Sequence, residues 1–551
     1  MSDTKVGPES RGPRGPRGPE GPQGAQGATG PSGGGGGAGP TGPTGPAFAT
    51  PLPAFAPTIT TIYARPGGSD TTGNGTLGNP YATMQRAVLD VPINIPAGYQ
   101  YIVDMTGCAE VLPSNYTLPA WKAPFTQDTS PNPPGFNLFT AAVTIQATPA
   151  ASPLVPSSDA VINFSDIVSQ VPLVDSPSGL IVLTISAPRA SWTTNALRGQ
   201  LLIAGPVGSG TNCVVLANTT TQLLLSNTAA IPNTGTNFPA TISIPGATIT
   251  GNTTGAGADA GGAAHGCMRA INVDSILLSG LEIVNSLGLT SPGFASGGNG
   301  TTTVQLCKLQ SPELGANSPA SCRVVRSWIT GAPLWRTNGG PVIFLSSLAD
   351  QWTGVNFIGS GGSVELRAAY FNACSTIQIQ SGQPAAPSGL EGNTQCAWLL
   401  SSVFITASPG ATADGFLFTG GSASLLNVDI NGCGRDGIRA ADGSGWMHLD
   451  NVGTYTGTLF LTGAPNTEFG LNVLDGQRVA APTSTYSSAT PLTGTVDAIS
   501  VGGTAATAAL TAASWNAGAP SFVTAFSKNM FDILSVGASG ATGSGSQLYG
   551  D

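Results

Sequence analysis

Short stretches in which apolar and polar residues alternate run through the middle of the chain, and they carry the first structural information. In ASLLNVDING at 423–432, alternation places Leu426, Val428 and Ile430 on one side of a strand and Asn427, Asp429 and Asn431 on the other. The same parity in MHLDN at 447–451 turns Met447 and Leu449 inward and His448 and Asp450 outward. These strands recur. LLSGLEIVNS at 277–286 matches LLSSVFITAS at 399–408 in character, ASLLNVDING begins 24 residues after the latter, and ADGF at 413–416 returns as RDGI at 435–438. LNVDI at 426–430 aligns with MHLDN after 21 residues. Recurrence at about the length of one solenoid turn is the mark of stacked coils. Short strands between Gly/Asn turns also fit a β-sandwich or barrel, but repeats extending over about 200 residues favour the solenoid.

The stretch ahead of the repeats adds an end piece. TITTIYARPGGSDTTGNGTLGNPYATMQRAVLDVP, which begins at residue 58, reads as a strand (58–64), a Gly/Asn-rich loop (67–79) and a short amphipathic helix (83–89) on which Met84, Ala87 and Val88 share a face. A stack of coils has an open apolar end that such a helix can cover. In order and in residues (Gly68, Ser69, Asp70, Pro80, Tyr81, Thr83, Met84, Gln85 and Ala87) the stretch resembles the N-terminal cap of the pectate-lyase-like superfamily. The resemblance implies an all-β chain folded as a right-handed parallel β-helix over 58–480.

Residues 188–250 depart from the coil pattern, because LLIAG, CVVLA and QLLLS are three strands joined by polar turns; they predict an antiparallel insertion protruding from the stack. Beyond it, 481–551 is rich in Ala, Ser, Thr and Gly with one apolar island, SFVTAFSKNMFDILSV at 521–536, expected to cap the far end or to help trimerise.

A different period governs the start. After a tail at 1–11, every third residue from Gly12 to Gly45 is glycine, twelve in succession, followed by proline at 13, 16, 19, 22, 31, 40, 43 and 46. This is collagen's pattern: three polyproline II chains wind about an axis so crowded that only a hydrogen atom fits as side chain. A flexible Gly/Pro linker is the competing reading, favoured locally by GGGGG at 33–37, but a linker has no reason to keep the phase. A triple helix over 12–46 requires three chains, hence a homotrimer with a stalk about 100 Å long. A junction at 47–57 follows. So short a stalk needs the larger C-terminal part to gather the chains.

Composition narrows the function. Charged residues make up 9% of the chain and the formal charge is -9, which leaves no electrostatic footprint for nucleic acid or an anionic membrane surface. The sequence shows neither an uninterrupted apolar span nor the apolar core of a Sec signal, so membrane insertion and Sec export are not expected. The eight cysteines form no CxxC pair and no Cys/His cluster of zinc spacing, so neither a metal nor a cofactor is expected; buried thiols are the simpler reading over a Cys374–Cys396 disulfide.

Candidate chemistry is sparse. GPVGSGTN at 205–212 lacks a lysine and a following helix, GAGADAGG at 255–262 lacks a βαβ context, and His265 stands alone after a Gly/Ala stretch. A stronger constellation follows from the 21-residue register, which places Asp429 and Asp450 outward on adjacent coils, about 5 Å apart. Paired carboxylates at that separation suit a retaining glycosidase, and His448, Asp436, Arg439 and Asp442 lie close in sequence. Acidic decoration of an exposed coil face is the plainer reading. Against the superfamily's enzymes the match is incomplete: Asn427-Val428-Asp429 only approaches an NTD motif and no GHG occurs, so the resemblance carries the fold and not the activity.

Stalk and coils together resemble trimeric fibres with a collagen-like stalk before a β-helical head, as in phage tail fibres and spikes and bacterial surface appendages. That resemblance implies a structural or adhesive role, an N-terminus anchored to a larger assembly, a virion or extracellular location, and cell-surface polysaccharide as the contact. A polysaccharide lyase or glycoside hydrolase using the Asp429/Asp450 face is the alternative, and a coat protein with no glycan affinity is a third.

Overall fold

The computed structural model describes residues 58–549 apart from 114–115, 124–140, 174–175, 177, 207–210, 234–237, 252–267, 287–292, 298–299, 318–320, 332, 339, 353–356, 360–362, 373, 375–376, 382–396, 407–414, 419–420, 432, 434–437, 441–444, 454–468, 474–477, 481–497, 502–503 and 506–546. The chain divides into two units, Met1–Phe55 and Ala56–Asp551, and every described residue belongs to the second. The collagen-like repeat, the junction, His265 and the apolar island at 521–536 lie outside the described residues.

The second unit is predominantly β, with long parallel sheets and very few helices. Its parallel strands fall into three ladders. The first contains Thr58–Tyr63, Tyr99–Asp104, Val143–Gln146, Ser275–Ser279, Thr301–Gln305, Cys322–Val325, Pro341–Leu345 and Ser363–Arg367. The second contains Ala109–Val111, Ala247–Gly251, Leu281–Asn285, Lys308–Gln310, Trp328–Thr330, Leu348–Asp350 and Tyr370–Asn372. The third runs from Tyr116–Thr117 through Met268–Ile271, Phe294–Gly297 and Glu313–Asn317 to Ala498–Val501. The longer strands Ala397–Thr406 and Gly421–Asn431 take part in the first two ladders in turn. Successive rungs pair in parallel and in register, which is compatible with a parallel β-helix.

Register explains the core. Ile145, Leu278, Val304, Val324, Phe344, Leu366, Leu400 and Leu425 follow one another in a single column, and each is 0% exposed. Alternate residues point in, so each rung extends the same apolar interior. At its centre Trp352 stands edge-on to Phe371 (5.3 Å between centroids) and to Phe344 (5.8 Å).

The turn from first to second ladder is made by one residue with positive φ: Gly280, Leu306, Arg326, Ser346, Ala368, Ser402 and Asn427 in successive rungs. A left-handed residue bends the strand within one position and resets the alternation on its far side. The strain is offset by hydrogen bonds that continue the ladder through the bend, as Leu306 N to Val325 O (3.2 Å), Arg326 N to Leu345 O (2.9 Å) and Ser346 N to Arg367 O (2.8 Å). Just after it, Cys307 N donates to Ser327 Oγ (3.1 Å) and Ser327 N to Ser347 Oγ (3.0 Å).

The end piece is a four-residue helix, Met84–Ala87, continued by a 3-10 turn, Val88–Asp90. Met84, Ala87 and Val88 are 0% exposed and close the apolar end. Asp70 accepts from Ala82 N (2.8 Å), Thr83 N (3.0 Å) and Thr83 Oγ1 (2.8 Å), which ties the GSD loop to the helix start.

Antiparallel strands occupy 150–244 rather than the expected 188–250, and Ala247–Gly251 belongs to the second ladder. They leave the stack after Val143–Gln146 and return to it at Ala247–Gly251, between the first and second ladders. Their sheets are apolar on both sides. Leu223 and Leu225 enter the insertion's own core, while Leu224 between them joins Leu201, Val214 and Leu216 against Leu348, Tyr370 and Phe404 of the stack. A strand buried on both faces needs an unbroken apolar run, which is why QLLLS and CVVLA do not alternate.

Candidate functional site

The outer side of the second ladder changes character along its length. Glu282, Lys308, Trp328, Leu348, Tyr370, Phe404 and Asp429 stand in one register column. At one end Lys308 Nζ meets Glu282 at 2.7 Å and lies 4.6 Å from the centre of the Trp328 ring. The middle is apolar and covered by the inserted sheets. Here Gly199, with φ of 81°, backs onto Trp328 so closely that a Cβ would overlap the ring.

Beyond Phe404 the column reaches Asp429, with Gly453 in register after it. The chain neighbours of Asp429, Val428 and Ile430, are core residues, so the carboxyl leaves the core as alternation requires, yet it is 0% exposed. The insertion covers it: Ser176 Oγ donates to Oδ2, Ser178 N donates to the same oxygen at 3.3 Å, and Ser176 and Ser178 hydroxyls lie 2.6 Å apart. Among the described residues Oδ1 has no hydrogen-bond partner. Burial raises the pKa to about 7, against the lowering effect of the serine donors.

The expected carboxylate pair is not formed. Asp429 registers with Gly453, and Asp450 registers with Leu426, an offset three residues longer than the sequence alignment. The Asn427 bend, φ 55°, then separates them: Asp450 pairs before it in the first ladder, Asp429 after it in the second. The bend also corrects the parity of ASLLNVDING, since Leu425 rather than Leu426 is in the core. His448 registers with Ser424 in the first ladder. Arg439 pairs with Leu417 and Asn472 in the third. Asp436 and Asp442 lie outside the described residues. What sequence reasoning missed is the partner of Asp429: Ser176 and Ser178 are more than 250 positions away, and no local signal links them.

A second carboxylate, Glu110, lines a shallow cleft of about 370 Å³ with Pro66, Thr83, Gln85 and Cys108. Its oxygens receive Met84 N (2.7 Å) and Gln85 N (3.2 Å), and desolvation raises its pKa. Both oxygens serve the helix end, a capping arrangement. Cys108, Cys213, Cys307, Cys322 and Cys374 are buried free thiols; burial pushes Cys213, Cys307 and Cys322 up to about 12 and Cys108 to about 11, far from a reactive thiolate. Among the described residues no group of three or more His, Cys, Asp or Glu is placed to hold a metal, and no helix is long and apolar enough to cross a membrane.

The outer sides of the first and second ladders therefore differ. The second ladder is taken up by the insertion. On the first, outward positions such as Ser275, Thr301, Ile343 and Leu399 are partly exposed. In the third ladder Gln378, Leu417, Arg439, Asn472 and Ser500 share a register column.

No family model and no curated protein matches the chain. A solved structure described as a glycoside hydrolase superposes with a TM-score of 0.22 at 8% identity, covering 72% of this chain and 95% of its own. At that level the likeness carries no argument for fold or for activity.

Proposed function

We propose that this protein is a trimeric structural or adhesive fibre: a collagen-like stalk over 12–46 gathers three chains, and each continues as a right-handed parallel β-helix that contacts surface glycans. The single observation that carries the reading is the unbroken glycine phase of the N-terminal segment ahead of a long stack of parallel rungs. The burial of Asp429 supports a non-catalytic role, since a carboxyl with no exposure and two serine donors cannot reach a glycosidic bond. Gln378, Arg439, Asn472 and Ser500, residue types that hydrogen-bond sugar hydroxyls, share a third-ladder register column with Leu417, which suits a glycan-binding role. A virion or extracellular location, with the stalk end anchored, completes the proposal.

The test is incubation of the full chain with bacterial surface polysaccharides, reading both binding and new reducing or unsaturated ends. Binding without cleavage, weakened about tenfold in Asn472→Ala, supports the fibre. Cleavage that disappears in Asp450→Asn would establish the hydrolase or lyase alternative instead, and the absence of any binding would favour a coat role.

A further inference from the structure

The outer face of the first ladder has an unusual composition for a surface. Leu277, Ile343, Leu345, Leu399 and Leu426 alternate with core residues and are partly exposed, and none joins any of the three hydrophobic clusters of the described residues. Leu277, Ile343 and Leu399 stand in one register column, with the buried Thr303 and the partly exposed Arg323 and Glu365 between them. Glu365 is paired with Arg367 beside it and stands two rungs from Arg323 in the same column, so its charge does not face the contact alone. The column is continuous, since rungs pair in register, and the insertion packs on the second ladder instead.

We infer that this face is where copies of the chain pack against one another, with Leu277, Ile343 and Leu399 at the contact. The inference rests on the three-chain reading proposed above. The triplet run ends at Pro46 and the first strand begins at Thr58, so the eleven intervening residues tether the stacks of three chains within about 40 Å of the stalk's end. A tether of that reach holds them at roughly millimolar effective concentration. Under it, even a modest aliphatic strip associates. Aliphatic side chains also fit this occupant better than a sugar, for which they offer no hydrogen bond. In a parallel assembly the same rung of each chain lies at the same height, which brings leucine opposite leucine.

Sedimentation velocity on the full chain, below and above the temperature at which the triple-helical circular dichroism disappears, tests the contact. We expect the parent to remain a trimer in both conditions. The double variant Ile343→Glu/Leu399→Glu should be a trimer below that temperature and a monomer above it, with its β-sheet signal unchanged. Leu277→Lys, elsewhere in the column, serves if the double variant loses that signal. A parent that is monomeric throughout sinks the three-chain reading and the contact with it. A parent trimer that separates as the stalk melts, or variants that stay trimeric above melting, leaves the trimer standing and overturns the contact.

Discussion

At the scale of single residues, Asp429 shows how little a side chain's identity says about its role. A carboxylate on the outer side of a strand reads as surface or catalysis, whereas burial beneath Ser176 and Ser178 makes it part of the joint between insertion and stack. The flanking strands place Phe404 and Gly453 in register with it, and among the described residues only the serine donors offset the desolvation. With its pKa raised from 3.8 to about 7, the folded chain holds a proton that the unfolded chain releases. Stability from this group is therefore fully present below about pH 4 and lost as pH rises through 7. Three pKa units correspond to roughly 4 kcal/mol as an upper bound. Melting temperature should fall between pH 5 and 8 in the parent, and Asp429→Asn should flatten that slope and melt higher than the parent at pH 8. An unchanged slope would remove Asp429 from the account. Glu110→Ala should cost about 1–2 kcal/mol through the helix amides it leaves unsatisfied, read by chemical denaturation.

At the scale of elements, the one-residue bend between first and second ladders decides the geometry. It resets alternation, so residues four or five apart in one strand serve different faces. It also hides repeats, because a left-handed position tolerates Gly, Ser, Asn, Leu, Arg and Ala alike when the rung above and below supplies the hydrogen bonds. LLSG at 277–280 and LLSS at 399–402 carry the bend at the same place, which is why their likeness was legible. MHLDN has no such marker, and its alignment slipped by three residues. The insertion is held by shape. Gly199→Ala should force Trp328 away and weaken docking by about 2–3 kcal/mol. Hydrogen exchange should quicken in Leu201–Ile203 and Cys213–Asn218 while the third ladder is unchanged; uniform protection would argue against a docked, separable element.

At the scale of the molecule, stability is passed from rung to rung. Each strand pairs only with the rungs beside it, so damage in one layer should spread along the stack. Trp352→Ala removes the centre of the aromatic cluster with Phe344 and Phe371 and should cost about 3–5 kcal/mol, measured as a lowered midpoint in denaturant. The glycine repeat lies in the first unit, Met1–Phe55, and the triple helix proposed for it has a signature of its own. Replacing Gly27 by Asp should abolish the triple-helical dichroism and leave the β-sheet signal intact, since glycine is the one residue the axis admits.

Periodicity is a local property, and what it governs was readable from the chain alone: the predominantly β character, rungs of alternating residues, the capping helix with Met84, Ala87 and Val88 inward, and the strands LLIAG, CVVLA and QLLLS. Register and burial are relations between distant segments. Only the tertiary structure could decide that Asp450 belongs beside Leu426, that the insertion begins near Ala150, and that a serine pair more than 250 residues away covers Asp429. The physical reason is that a strand specifies which residues share a side, but not which surface comes to rest against that side.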